Sequence, residues 1–154
     1  VGEAIKVYRK TFTVTPTVDT SIYAAGDAVD GLQSIIDVGR SADQSGVIEQ
    51  ISIVDASGQD APLDLVFYQS AVTAGTDNVA YDPSEVDLKE SVGSVSVLAA
   101  DYSTLANNSV ATVNPNFQFQ FETTSTLRFQ IVSRGTPTYA GANDLQVRFV
   151  IKQD

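Results

Sequence analysis

The sequence predicts an all-β protein: a two-sheet antiparallel sandwich of jelly-roll type with about eight strands. Three observations carry that expectation. Apolar and polar residues alternate with period two along most of the chain, as in strands with one buried face. Clusters of Gly, Pro, Asn, Asp and Ser interrupt these runs at short intervals. Only two short stretches have a helical pattern. An immunoglobulin-like sandwich is the next candidate, although its Cys…Trp…Cys core is missing, and a small closed barrel is the third.

In chain order, Tyr8, Phe12 and Val14 alternate with Arg9, Thr11 and Thr13. Val29 to Val38 supplies a second strand. Val47 to Val54 is more apolar, with Ile51 and Ile53 on one side and Ile48 and Val54 on the other. That pattern predicts a central strand, or one covered on both faces. Leu63, Leu65 and Phe67 share a face. Pro83 to Ser91 reads as a short helix, with Pro at its start, acidic residues early and Gly93 as its stop. Val92 to Leu98 is a strand, and Ala99 to Ala106 is expected to make a single helical turn.

Phe117, Phe119 and Phe121 then alternate with Gln118, Gln120 and Glu122. Leu127, Phe129 and Ile131 alternate with Arg128 and Gln130. Leu145, Val147, Phe149 and Ile151 alternate with Gln146, Arg148 and Lys152, with Val150 as the exception. The inward set of these strands is the expected core. Turn chemistry separates them at Ala24 to Asp27, Ser41 to Gly46, Asp55 to Pro62, Ala74 to Asp82, Asn107 to Ser109, Asn114 to Asn116 and Gly135 to Pro137. The outward positions are rich in Thr, Ser and Gln, which suits either a solvated sheet face or one that lies against another protein.

The 154 residues fit one domain, 1-154. A chain of this size buries about two-thirds of its extended surface, so no covalent staple is required. Val1 to Val18 stands either as an extended N-terminal arm or as the first strand of the sandwich.

Composition excludes much chemistry. There is no Cys, hence no disulfide, thiolate metal site or Cys nucleophile, and no His, hence no triad base, imidazole metal ligand or neutral-pH switch. Nineteen acidic residues against nine basic ones give a net charge of -10, which repels nucleic acid and anionic membrane surfaces. No apolar run approaches the length of a membrane span, and no secretory signal is expected.

The acidic residues cluster in loops: Asp77, Asp82, Glu85 and Asp87; Asp55, Asp60 and Asp64; Asp27 and Asp30. None has the alternating spacing of a calcium loop, so they read as turn and capping carboxylates, and no metal or cofactor is expected. A glycosidase needs a carboxylate pair, which nineteen acids supply by chance, and normally a Trp-lined cleft, which this chain lacks. Tyr23, Tyr68, Tyr81, Tyr102 and Tyr139 fall at strand ends or in loops. They are expected to close the ends of the sandwich with rings buried and hydroxyls in water. Asn107-Asn108-Ser109 fits a glycosylation acceptor pattern, and Arg134 beside Gly135 reads as a turn with one exposed cation.

Several segments carry a resemblance when taken together. They are Tyr23 to Val29, Gly46 to Asp55, Leu63 to Tyr68, Ser133 to Tyr139 and Asp144 to Arg148. In this order they resemble small head-region structural proteins of tailed bacteriophages, over most of the chain from about Thr15 onward. The resemblance implies a non-enzymatic virion protein made in the host cytoplasm, a decoration or cement protein on the capsid surface. Its partners would be the major capsid protein and copies of itself, a homotrimer being favoured. The competing class is a carbohydrate-binding or receptor-binding sandwich module of a virion or tail. Candidate partner-binding residues are Lys6, Arg9 and Lys10, a local basic excess in an acidic chain, and Arg134.

Overall fold

The computed structural model describes residues 7–40, 45–120 and 125–154. Among these, 51% lie in strands and 5% in helices. The strands are β1 (Tyr8–Val14), β2 (Ala28–Ile35), β3 (Ser45–Asp55), β4 (Leu63–Tyr68), β5 (Ser91–Val97), β6 (Tyr102–Leu105), β7 (Asn108–Val113), β8 (Phe117–Gln120), β9 (Leu127–Ser133) and β10 (Leu145–Gln153). One helix, α1 (Glu85–Leu88), falls inside the stretch expected to be helical, with Ser84 accepting from the Asp87 amide as its N-cap.

The strands form two antiparallel sheets. One runs β1-β10-β3-β7-β6, with β8 also pairing β3; the other runs β2-β9-β4-β5. The pairs β1 with β10, β2 with β9, β3 with β8 and β4 with β5 nest inside one another. A long hairpin rolled onto itself gives this nesting, which defines the jelly roll. The sandwich fold class is therefore as the alternation predicts, with ten strands rather than about eight. The additional pair is the β6–β7 hairpin. Ala99 to Ala106 makes only a short 3-10 turn at Ala99–Asp101 before entering β6. Ala and Leu there favour helix weakly, and pairing with β7 outweighs that preference.

The core lies between the sheets. Phe67, Phe129 and Phe149 are fully buried, with ring centroids 5.1 to 6.2 Å apart. Ile51, Ile53, Leu65, Ile131 and Val147 surround them. Phe119 is buried and Phe117 half-buried, while Phe121 lies outside the described residues. The Phe117 ring packs 5.0 Å from Phe67 because Gly93 gives it room. A Cβ at Gly93 would come within 2.6 Å of that ring, and its φ of 140° also suits glycine alone.

One expectation needs correction. The sequence puts Ile48 on the face opposite Ile51 and Ile53 of a central strand or one covered on both faces; β3 is central, between β10 and β7, but Ile48 is not on that opposite face. A β-bulge lies at this point: Val150 pairs with Gln50 and Ile151 with Ile48, so Glu49 is the extra residue. The bulge turns Ile48 into the core beside Ile51. Val54 stays on the outer face, 38% exposed.

Residues Tyr8–Val14, within the segment that had two readings, form the edge strand and pair with β10 along their whole length. Val18 is buried.

Candidate interaction surface

The two outer faces of the sandwich differ. Between β4 and β5 the chain makes a long excursion, residues 69–90, which runs along β2 and reaches over β9, while Ser94 and Ser96 on the outer face of β5 stay exposed. Gly75 donates its amide to the fully buried Gln130 on β9, and Gln130 Nε2 donates to the Asp30 carbonyl. Backbone bonds from Ala28 to Val79, from Asn78 to Ala28 and from Tyr81 to Gly26 fasten the excursion along β2. The Tyr68 and Tyr81 hydroxyls meet at 2.5 Å. Gln130, which points outward on β9, is buried where it meets the excursion, and Val132 on the same face is buried as well.

Among the described residues nothing covers the six-stranded sheet in this way. From register, its outer face carries Arg9, Thr11 and Thr13 on β1; Gln146, Arg148, Val150 and Lys152 on β10; Val47, Gln50, Ser52 and Val54 on β3; and Val110 and Thr112 on β7. Among the described residues this face holds three cations, Arg9, Arg148 and Lys152, against two carboxylates, Glu49 and, at its edge, Asp154. Arg9 Nε donates to Glu49 Oε2 at 2.8 Å. The hydrogen bond and charge of Arg9, with the charge of Lys152, hold the Glu49 carboxyl below its ordinary range. Arg148 is exposed and has no ion-pair partner among the described residues. A shallow depression of about 500 Å³ opens over Val47, between Lys152 on one side and Gln118 and Gln120 on the other, with Asp154 at its rim.

The residues singled out from sequence do not converge. Lys6 lies outside the described residues. Arg9 is on the open face, whereas Lys10 shares a strand face with Phe12 and folds its ammonium over that ring, 5.1 Å from the centroid. Arg134 belongs to the end of the other sheet, where it donates to Asp64 at 2.6 Å. Arg148 and Lys152 were legible only as polar positions of an alternating strand. Their grouping with Arg9 depends on β1 and β10 being neighbours, which alternation does not specify.

The acidic loops are occupied by the fold. Asp55, 1% exposed, accepts from the amides of Ser57, Gln59 and Asp60 and so shapes its loop. Asp77 accepts from the Tyr23 hydroxyl and the Asp30 amide, both at 2.7 Å. Among the described residues no group of three or more acidic side chains is arranged to hold a metal ion. The tyrosine expectation needs a correction of its own. Tyr23, Tyr68 and Tyr139 are fully buried, and the hydroxyls of Tyr23, Tyr68 and Tyr102 bond to protein groups rather than pointing into water. The depression beside the excursion, about 300 Å³, is lined by Thr73, Thr76, Tyr81 and Asp87. Asn107 of the acceptor pattern sits in the β6–β7 turn, with the Ser109 hydroxyl buried. Among the described residues no helix is long and apolar enough to cross a membrane.

No family model and no curated protein matches the chain. Two viral structures align with it. One is a structure of infectious bursal disease virus, Gx strain, at 16% identity and a TM-score of 0.41, covering 94% of this chain and 32% of that one. This chain thus spans about a third of the length of that one. The other is desmodium yellow mottle tymovirus, at 9% identity and a TM-score of 0.29, covering 99% of this chain and 90% of that one. Scores at this level do not establish kinship.

Proposed function

We propose that this chain is a non-enzymatic structural protein of a virion, a decoration protein that binds the outside of a phage head and stabilises it. The observation that carries this reading is the outer face of the six-stranded sheet, broad, polar and uncovered among the described residues, whereas the chain's own excursion covers the β2–β9 side of the other sheet. A face of that kind suits docking onto a large protein surface. The resemblance of five segments to tailed-phage head-region proteins supplies the class. The net charge of -10 favours an outward position over contact with packaged DNA. A homo-oligomer, with a trimer favoured, follows from the same resemblance. A sugar-binding module fits less well, because it stacks its ligand on exposed rings and Tyr23, Tyr68 and Tyr139 are buried.

Imaging particles with and without this gene tests the reading. The expected result is extra density on the outer surface of the head at fixed stoichiometry, with heads lacking it breaking at lower temperature. Absence of the protein from purified particles, or its location inside with the DNA, overturns the reading.

A further inference from the structure

We infer that the outer face of the six-stranded sheet is the side turned toward the head, and that it meets an acidic protein surface. This rests on the decoration reading and adds the contact face and the chemistry of its partner.

Charge is distributed unevenly over the molecule. The chain as a whole carries -10, yet among the described residues the open face presents Arg9, Arg148 and Lys152 against Glu49 and, at its edge, Asp154. Glu49 is engaged by Arg9, which leaves Arg148 as an unpaired cation near the middle of the sheet. It pairs in register with Ser52 on one side and Thr13 on the other, so among the described residues no carboxylate faces it across either strand pair. The covering excursion on the opposite side carries Asp77, Asp82, Glu85, Asp87 and Glu90 with only Lys89. A like-on-like contact between two open faces would bring the cations of one copy against those of the other. An acidic partner instead gives complementary potentials, which steer docking and fix orientation.

Size points the same way. About five strands spaced near 4.8 Å, each some seven residues long, present on the order of 500 Å². A standard interface takes about 800 Å² from each partner. The face alone is therefore too small for a tight pair in solution. It fits a contact repeated over a lattice, where linked copies gain through effective concentration. Nucleic acid is disfavoured as the occupant, since two or three cations on a flat sheet cannot offset the repulsion of the whole chain.

The test uses heads made from a genome with this gene deleted, and the purified full chain. The chain is added at rising salt and its occupancy measured. The expected result is binding that weakens as salt rises, and a loss of at least about tenfold in affinity for Arg148→Glu/Lys152→Glu. Arg148→Gln/Lys152→Gln serves if the reversed pair disturbs folding, with circular dichroism reporting the fold. Asp82→Asn/Glu85→Gln on the opposite side should bind as the unaltered chain does. Equal binding by the Arg148/Lys152 variants, with the unaltered chain bound, overturns the inference and leaves the decoration reading standing. Sedimentation showing that those substitutions dissociate an oligomer of the free protein overturns it in favour of a second copy as occupant. Failure of the unaltered chain to bind any head overturns both.

Discussion

Arg9 and Glu49 join β1 to β3 over the top of the intervening β10, with Arg9 Nε 2.8 Å from Glu49 Oε2 and Nη2 3.3 Å from Oε1. Neighbouring strands lie about 4.8 Å apart, so this reach of two strands needs a side chain aimed sideways. The bulge at Glu49 supplies that aim. One extra residue thus sets two features: it returns Ile48 to the core and turns Glu49 toward the edge strand. The pair fastens β1, whose other edge is unpaired in the described structure.

The first prediction concerns acid. The ordinary Glu value is 4.5, and the hydrogen bond from Arg9 lowers it here. The folded chain then binds fewer protons at Glu49 than the unfolded chain does. The stabilisation is full above pH 4.5 and is lost as pH falls through the depressed value. Amide exchange along Tyr8–Val14 should accelerate on acidification ahead of exchange along Leu127–Ser133. Glu49→Gln should show the weakened edge already at neutral pH. Unchanged protection of β1 in that variant would mean that the pair is ornamental, as many exposed ion pairs are.

Alkali should act through the tyrosines. Burial is the main cause raising the phenols of Tyr23, Tyr81, Tyr102 and Tyr139 above their ordinary value of 10. Above pH 10 the unfolded chain releases these protons while the folded chain retains them, so stability falls as pH rises. An ultraviolet titration should show phenolate appearing together with loss of the β-sheet circular dichroism, in one cooperative step. Smooth ionisation of these four rings in a folded chain would refute the burial argument.

The sheets were legible because alternation reports burial directly. Leu145, Val147, Phe149 and Ile151 name the inner face of β10 without any neighbour being known. Pairing was less legible. Nothing in Asn107-Asn108-Ser109 distinguishes a hairpin within one sheet from a crossing between sheets, and β6 is four residues long, too short for a clear period. The excursion over β9 was invisible for another reason. Its anchors are Gln130 and the Gly75 amide, and a Gln in an alternating strand reads as a solvent-facing residue. The candidate basic residues were sought by closeness in sequence, at Lys6 to Lys10, whereas the basic face is assembled by pairing β1 with the far end of the chain.

Core substitutions come next. Phe149 is fully buried and its ring meets both Phe67 and Phe129. Phe149→Ala should cost about 3–5 kcal/mol in chemical denaturation. Phe67→Ala should cost a similar amount, and the double variant less than the two together, because the single variants both remove the 6.2 Å edge contact between these rings. A loss under about 1 kcal/mol for either would contradict the placement of the core.

The β6–β7 hairpin offers two substitutions that should not destabilise. Ala106 holds a φ of 58°, a left-handed conformation that costs a residue with a Cβ about 1–2 kcal/mol. Ala106→Gly relieves that cost and gives back part of it as unfolded-chain entropy, so a net gain of about 0.5 kcal/mol is expected. Ser109 buries a hydroxyl that bonds to no protein group among the described residues. Ser109→Ala removes the desolvation cost without losing a bond, so the melting temperature should hold or rise. A clear loss of stability in Ser109→Ala would show that the hydroxyl has a partner in solution.

Gln130 is the latch of the covering layer. Its carbonyl oxygen accepts from the Gly75 amide at 3.1 Å and its amide donates to the Asp30 carbonyl at 3.0 Å, so one buried side chain ties the excursion to β2 and β9. Gln130→Leu keeps the volume and removes these bonds together with the one from Nε2 to the Ile131 carbonyl, leaving the Gly75 amide and the Asp30 and Ile131 carbonyls without this partner. An unsatisfied buried group costs about 1–3 kcal/mol, and the chain can recover most of that by lifting the excursion into water. The sandwich beneath retains its aromatic cluster and its strand pairing. The expected outcome is therefore local: proteolysis within residues 71–82 accelerates, exchange along Ala28–Ile35 rises, and exchange along Leu145–Gln153 is unchanged. If cleavage of the excursion keeps its original rate while the whole domain loses stability, Gln130 is acting as a core residue and the covering layer is held by its backbone bonds alone.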